Sequence, residues 1–339
     1  MVDLIVVDAR SLALPHTGVG RYALELLRHM PEHGDMRGVV KPGVVTEAGS
    51  LHVQILGPAV LDAVWNETAL IRSLRSASGY WATNAQVPWR RMRGCRIVSV
   101  VHDLVHRDLD AGLTWQHRWS RENAVRASVA RSDVIVTTNE HISRQLRTNY
   151  GRGADILIPP GPTMPPASEL EVQALRDELS AYPAKHWVLA VGTESPRKNH
   201  ARLADAVALL PGVGLAIVGG PGPGAQSRQP HVLRTGFASQ DRLAAWYAVA
   251  DVLAYPSLVE GFGLPLMDAR RVGLPLVSSD RSPMREVAGP LGVLVDPTSV
   301  TSIRNGLSTA LAKGRHVPEA LPGWLEGALM LDGLLRANS

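Results

Sequence analysis

Apolar residues along the chain fall into two kinds of run, and the two alternate. Short unbroken runs read as strands buried on both faces. In the first half these are Leu4–Asp8, Val39–Val45, Leu51–Ile55, Tyr80–Ala82, Ile97–Val101, Val134–Thr137 and Ile156–Ile158. Between them lie stretches with helical spacing. One helix pattern ends at Met30, and a second, Leu61–Leu74, has Leu61, Val64, Trp65, Ala69 and Leu74 at its apolar positions. Leu113–Arg131 carries Trp115 and Trp119 one turn apart, a spacing that reads as core, and His141–Asn149 follows.

The run Pro159-Pro160-Gly161-Pro162, continuing to Pro166, ends this series and predicts a domain boundary. A second series then opens with the helix Glu169–Leu179. Its strands read Trp187–Val191, Leu215–Val218, Val232–Thr235, Asp251–Tyr255, Leu274–Val277 and Gly292–Val295, with helices between them and a last one from Trp324 to Leu335. Strands alternating with helices make parallel, doubly wound sheets. The expected class is α/β, with two Rossmann-like domains, 1–162 and 163–321, facing a cleft, and a tail over 322–339. Such sheets take ligands at the carboxyl ends of their strands.

Composition narrows the class. Apolar content of 45%, charged content of 19% and a mean hydropathy of zero fit large buried cores rather than disorder. No apolar run reaches the length of a membrane span, and the N-terminus enters a strand pattern with no signal peptide evident, so a cytoplasmic protein is expected. The one cysteine, Cys95, excludes an internal disulfide framework and a cysteine metal cage. Residues 1–162 hold 19 basic and 15 acidic residues, leaving 16 of each for the rest. That excess is too small for a nucleic-acid protein. It suits a phosphorylated ligand or an anionic membrane surface.

Residues 257–269, Ser-Leu-Val-Glu-Gly-Phe-Gly-Leu-Pro-Leu-Met-Asp-Ala, carry the most chemistry. A strand leads into Glu260, two glycines around Phe262, and a helix. Glycines let backbone approach a ligand, and the unpaired N–H groups of a helix start attract an anion. A glycine turn with a solvated Glu260 and a surface Asp268 is the plainer alternative. Gly192-Thr193-Glu194-Ser195-Pro196-Arg197-Lys198-Asn199 puts a guanidinium and an ammonium at a strand mouth, the makings of a pyrophosphate clamp, or else two surface charges. Thr17-Gly18-Val19-Gly20-Arg21-Tyr22 is a further candidate cradle, or a tight turn packing helix on sheet. His102 stands at the end of a central strand. His102 and His106 do not share the helical face that a zinc protease pattern requires, so no metal is expected. Trp89 and Met92 are interleaved with Arg90, Arg91, Arg93 and Arg96, a solvated loop or a contact with lipid headgroups or an anionic acceptor.

Taken in order, these motifs resemble a retaining sugar-nucleotide glycosyltransferase of family 4, with the two-domain GT-B fold. The resemblance runs through Thr17 to Tyr22, Val101-His102-Asp103-Leu104, Pro159 to Gly161, Val191-Gly192-Thr193 to Pro196-Arg197-Lys198-Asn199, Tyr255-Pro256-Ser257, Glu260-Gly261-Phe262-Gly263-Leu264-Pro265 and Glu286-Val287-Ala288-Gly289. The Pro-Arg-Lys-Asn form is similar to the mannosyltransferase-like branch.

The resemblance implies transfer of a hexosyl group from a nucleoside diphosphate sugar to a hydroxyl of a glycan, a lipid-linked or a small-metabolite acceptor, without metal or other cofactor. Domain 1–162 would bind the acceptor and 163–321 the donor, with 322–339 crossing back to the first domain. Glu260 would hold the donor sugar and Asp268, where the family has Glu, the ribose. Arg197 and Lys198 would hold the pyrophosphate, and His102 would sit beside the reacting sugar. Gly18, Gly20, Gly192, Gly236, Phe237, Gly261, Phe262, Gly263 and Leu264 complete the implied donor site. Arg90, Arg91 and Arg93 would meet the acceptor or the inner membrane face. An epimerase or phosphorylase on the same architecture, or a non-catalytic nucleotide-sugar-binding protein, is the alternative.

Overall fold

The computed structural model describes residues 4–14, 17–31, 35–43, 51–58, 60–90, 92–108, 112–222 and 229–337. The chain divides into two compact units. Met1–Arg107, Leu113–Gly161 and Gly323–Ser339 make the first, and Asp108–Gly112 with Pro162–Pro322 the second.

The first unit is built on a seven-stranded parallel sheet of β1 (Ile5–Asp8), β2 (Met36–Val40), β3 (His52–Ile55), β4 (Gly79–Ala82), β5 (Arg96–Val101), β6 (Val134–Thr137) and β7 (Ile156–Leu157). Its strand order is β3-β2-β1-β4-β5-β6-β7. The order reverses between β1 and β4, and such a switch point opens a crevice outside the carboxyl ends of the strands. β1, β4 and β6 are buried along their whole length, as runs covered on both faces must be. β2 begins three residues earlier than the apolar pattern indicates, and residues 44 and 45 of the expected strand lie outside the described residues.

Helix α1 (Gly18–His29) starts where Thr17 Oγ1 accepts from Gly20 N at 3.1 Å. The expected helix over 61–74 is α2 (Asp62–Trp65), a π-helical turn (Asn66–Leu70) and α3 (Ile71–Leu74), with Trp65, Leu70 and Leu74 buried. α4 (Trp115–Arg131) corrects the reading of its two tryptophans. Trp115 is 73% and Trp119 66% exposed. The helix buries Val125, Ala127 and Ser128 instead, nearer its other end. α5 (Glu140–Tyr150) is capped by Asn139 and closed by Gly151 in the left-handed region at φ 77°.

The second unit has a six-stranded parallel sheet of β8 (His186–Val191), β9 (Val213–Val218), β10 (Val232–Gly236), β11 (Val252–Tyr255), β12 (Leu276–Ser279) and β13 (Val293–Val295), ordered β10-β9-β8-β11-β12-β13. Its switch point lies between β8 and β11. α6 (Glu169–Leu179), α7 (His200–Ala208), α8 (Gln240–Val249), α9 (Leu264–Arg271), α10 (Met284–Val287) and α11 (Val300–Lys313) complete it. One core holds Trp187, Trp246, Tyr247 and Leu253, and another holds Val188, Leu203, Ile217 and Ile303.

The last helix, α12 (Trp324–Arg336), belongs to the first unit and buries Trp324, Ala328, Leu331 and Leu335 in the core that holds Tyr22 and Leu26. The Tyr22 and Trp324 rings meet edge to face at 5.6 Å. A side chain at Gly161 would strike Trp324, since a Cβ there stands 3.0 Å from its ring. Arg336 pairs with Asp35.

Candidate functional site

β8 and β11 are neighbours at the switch point of the second sheet, and each is followed by one of the charged motifs. After β8, Asn199 adopts the left-handed region at φ 61°, which few residues other than glycine take as readily as asparagine. Its Nδ2 donates to the carbonyls of Pro256 at 3.0 Å and Pro297 at 2.6 Å. The loop after β11 is drawn in by further bonds. Leu258 N donates to Arg197 O at 2.8 Å, Arg281 Nη1 to Leu258 O at 3.1 Å, and Tyr247 OH to Pro265 O at 3.3 Å. The two motifs are thereby fixed as one structure.

Arg197, Lys198 and Glu260 meet there. Arg197 Nη1 lies 2.6 Å from Glu260 Oε2, and Lys198 Nζ 2.7 Å from Glu260 Oε1. Lys198 Nζ also donates to Tyr255 OH at 2.7 Å. The Lys198 and Glu260 side chains are each 9% exposed. Burial works against the charge on Glu260, but Lys198 and Arg197 outweigh it and hold its carboxyl down at about 2. Burial dominates for Lys198 and lowers it to about 8, although Glu260 pulls the other way. At neutral pH Arg197 and Lys198 both carry charge and share the carboxylate of Glu260.

Glycines make the space. Gly192 has φ 131°, and a Cβ there would stand 3.0 Å from Lys198 Cε. A Cβ on Gly219 would lie 2.2 Å from the carbonyl oxygen of Gly192. Gly263, at φ 114°, opens α9 with no side chain capping the helix start. Its dipole and first-turn N–H groups add to the positive potential. Ser195 Oγ and His200 Nδ1, on either side of the Arg-Lys pair in sequence, are buried without a protein partner. His200 is pushed down to about 3 by burial and then by the charges of Lys198 and Arg234, so its imidazole is neutral. Buried polar atoms without partners are rare, and their place beside a charged cluster is what a ligand site requires.

The remaining sequence-derived residues divide. Gly261, Phe262 and Leu264 are half-buried in the loop and helix start after Glu260. Gly236 ends β10 at φ 72°. Phe237, 64% exposed, lays its ring so close to Gly220 that a Cβ there would stand 2.4 Å from it. Asp268 is not an open acid. It is 4% exposed, and its carboxylate accepts from Thr163 N at 2.6 Å, Thr163 Oγ1 at 3.0 Å and Met164 N at 3.1 Å. In this structure it ties α9 to the start of the unit.

His102, Gly18 and Gly20 lie in the first unit. His102 Nε2 donates to Thr83 O at 2.8 Å, which leaves Nδ1 as the acceptor. Burial brings the imidazole down to about 4, and the Tyr22 ring stands edge-on to it at 4.9 Å. Gly20 is explained by packing. Its N–H is taken by Thr17, and a Cβ would stand 2.2 Å from Leu14 O. Gly18 is the exposed first residue of α1. Arg90 and Arg93 are exposed near Trp89, and Arg91 lies outside the described residues.

Tyr255, Asn199 and Glu194 stand inside the motifs named above but were given no role, and Arg234, whose Nε lies 3.1 Å from Glu194 Oε1, was not singled out. Asn199 carried a further signal, its tolerance of the left-handed region. Among the described residues no group of three or more His, Cys, Asp or Glu side chains is placed to hold a metal ion.

Residues 171–320 match the sequence model of the family described as Glycosyl transferases group 1. The chain is 33% identical over 131 residues to O-antigen chain mannosyltransferase B of Escherichia coli, a match covering 34% of each protein. It is 29% identical over 207 residues to D-inositol 3-phosphate glycosyltransferase of Mycolicibacterium gilvum, covering 57% of this chain and 43% of that one. These matches thus span less than half of the curated relatives' length. Among solved structures, sucrose-phosphate synthase from Thermosynechococcus elongatus superimposes with a TM-score of 0.78 over 98% of both chains, at 20% identity. The chain therefore has the two-domain GT-B fold, and its residues 171–320 align with the group 1 glycosyl transferases.

Proposed function

We propose that the protein is a retaining glycosyltransferase of family 4. It moves a hexosyl group, mannose by preference, from a nucleoside diphosphate sugar to a hydroxyl of a glycan, lipid-linked or small-metabolite acceptor. The observation that carries this reading is the meeting of Arg197, Lys198 and Glu260 at the switch point between β8 and β11. The mannosyltransferase and inositol phosphate glycosyltransferase relatives support the class of reaction.

In this reading Arg197 and Lys198 turn from Glu260 to the diphosphate, and the start of α9 adds its N–H groups. The bond from the anomeric carbon to the leaving phosphate oxygen breaks as the acceptor oxygen bonds to the same face. The acceptor proton passes to the leaving phosphate. The two cations stabilise the charge that develops there, and preorganised charge of this kind commonly lowers a barrier more than any other single effect. Glu260, released from its partners, accepts hydrogen bonds from sugar hydroxyls. His102, a neutral imidazole, orients the sugar in this scheme. The reaction needs no metal ion in this scheme. Among the described residues no helix is long and apolar enough to cross a membrane. A cytoplasmic enzyme meeting anionic lipid through Arg90, Arg91 and Arg93 is part of the same proposal.

The test is a matrix of GDP- and UDP-sugars against glycan, lipid-linked and polyol acceptors, read by mass spectrometry. A glycosylated acceptor with retained anomeric configuration supports the proposal. Conversion of a donor to its epimer without acceptor would overturn it.

A further inference from the structure

α4 turns an unusual face outward. Trp115, Arg118, Trp119, Glu122 and Arg126 recur at the spacing of one helical face, where an ordinary surface helix carries small or simply charged residues. The two tryptophans are 73% and 66% exposed. Large exposed aromatics bordered by fixed polar groups mark interaction surfaces. Next to Trp119 lies a shallow hollow, widely open to solvent and about 330 Å³ in volume, lined by His106, Arg107, Arg118, Trp119 and Glu122.

The polar groups of this hollow are held in place before any ligand arrives. Glu122 Oε2 accepts from Arg107 Nη1 at 2.7 Å, Tyr150 OH at 2.9 Å and His106 Nε2 at 3.1 Å, and Oε1 accepts from Arg126 Nε at 2.9 Å. Arg118 is oriented by two carbonyls, His106 O at 3.0 Å and Leu113 O at 3.2 Å. His106 is 3% exposed. Because its Nε2 faces the carboxylate, Nε2 carries the proton. Nδ1 is left as a buried acceptor with no protein partner.

We infer that this hollow is a saccharide-binding subsite, with Trp119 as the plate for one pyranose ring and Arg107, Arg118 and Glu122 as hydrogen-bonding partners for its hydroxyls. A sugar ring has an apolar C–H face and an equator of donor-acceptor hydroxyls. It therefore calls for one flat aromatic surface and planar groups of both donor and acceptor kind at its edge. Trp115, four residues before Trp119, is displaced along the axis by about 6 Å, close to the length of one sugar unit, and offers a second plate. A lipid surface fits less well. Arg107 and Arg126 are both paired with Glu122 and Arg118 is held by two carbonyls, so the hollow offers fixed donors and an acceptor side by side rather than an open cluster of cations for an anionic headgroup. That the bound saccharide is the acceptor rests on the transferase reading above; that a saccharide binds does not.

The test uses the full chain with mannobiose, mannotriose and maltotriose as probes, followed by tryptophan emission and calorimetry. Binding that shifts the emission, falls at least tenfold in Trp119→Ala and recovers in Trp119→Phe supports the subsite. Trp119→Ala should still bind GDP or UDP like the parent, which shows that it is folded. The inference is overturned if none of the three saccharides binds, or if they bind equally to parent and Trp119→Ala. It is also overturned if Trp119→Ala loses only sedimentation with phosphatidylglycerol vesicles. Saccharide binding by a parent protein that binds no nucleoside diphosphate upholds the subsite and removes the transferase reading. The reverse result removes the subsite alone.

Discussion

Lys198 Nζ stands 2.7 Å from Glu260 Oε1 across the switch point of the second sheet, and each side chain is 9% exposed. One buried charge compensates the other, and Arg197 is a second cation on the same carboxylate. In the proposed reaction an entering diphosphate would meet charges already positioned, at the cost of loosening their hold on Glu260.

The Lys198 proton sets a pH dependence. An anion binds the charged ammonium, and that form prevails below about pH 8. GDP or UDP affinity is therefore expected to be level from pH 6.5 to 7.5. Above pH 8 it falls by up to about tenfold per unit, the limit for loss of one proton. Calorimetry across pH 6.5–9.5 checks this, and Lys198→Arg should level the profile because the guanidinium does not titrate there.

Glu260→Gln separates the two roles of the carboxylate. With the charge gone, Arg197 and Lys198 lose a competing partner, but the buried Lys198 also loses the group that favours its proton, so at about pH 6, where the ammonium is kept, nucleoside diphosphate should bind at least as tightly as in the parent. Sugar transfer should fall by about a hundredfold or more, the usual loss when a group aimed at the reacting sugar is removed. Parallel titration and turnover assays decide. A variant that loses both binding and turnover would assign Glu260 a structural role.

Gly192→Ala places a methyl group 3.0 Å from Lys198 Cε in a backbone conformation that side chains rarely adopt. The strain costs about 1–3 kcal/mol. Displacement of the ammonium should weaken diphosphate binding by about tenfold or more. Thermal unfolding and calorimetry on the same samples distinguish lost stability from lost binding.

Asp268 is expected to report on stability. Removing its carboxylate in Asp268→Ala orphans the amides of Thr163 and Met164, and hydrogen bonds to a charged group contribute about 1.5–3 kcal/mol each. The melting temperature should drop by several degrees. UDP and inorganic pyrophosphate should keep the same affinity ratio as in the parent. A selective loss of UDP would restore Asp268 to the ribose.

Much of this architecture was legible because alternating runs force parallel sheets, and charges at strand mouths are conspicuous. Arg197, Lys198 and Glu260 could be singled out from their neighbours in sequence. Their mutual ion pairs could not, since 62 residues separate Lys198 from Glu260 and only the adjacency of β8 and β11 joins them. Trp115 and Trp119 misled for a physical reason. Helical spacing identifies a face but not which way it points, and the buried contacts of α4 come from small residues near its far end. Gly20 looked like a ligand cradle because a glycine required by a neighbouring carbonyl and one required by a phosphate are alike in sequence. The bonds of Asp268 to Thr163 and Met164 were hidden for another reason, since its partners lie more than a hundred residues away and no local pattern signals them.

The two glycines at the ends of β8 and β9 differ in what stands in their way. Gly219 faces the carbonyl of Gly192, which is main chain, whereas Gly192 faces the side chain of Lys198. A shorter residue at 198 should therefore return part of the stability lost in Gly192→Ala, though not the diphosphate binding that needs the ammonium. No second-site change can remove a peptide carbonyl, so damage at 219 should yield no suppressor at its point of contact.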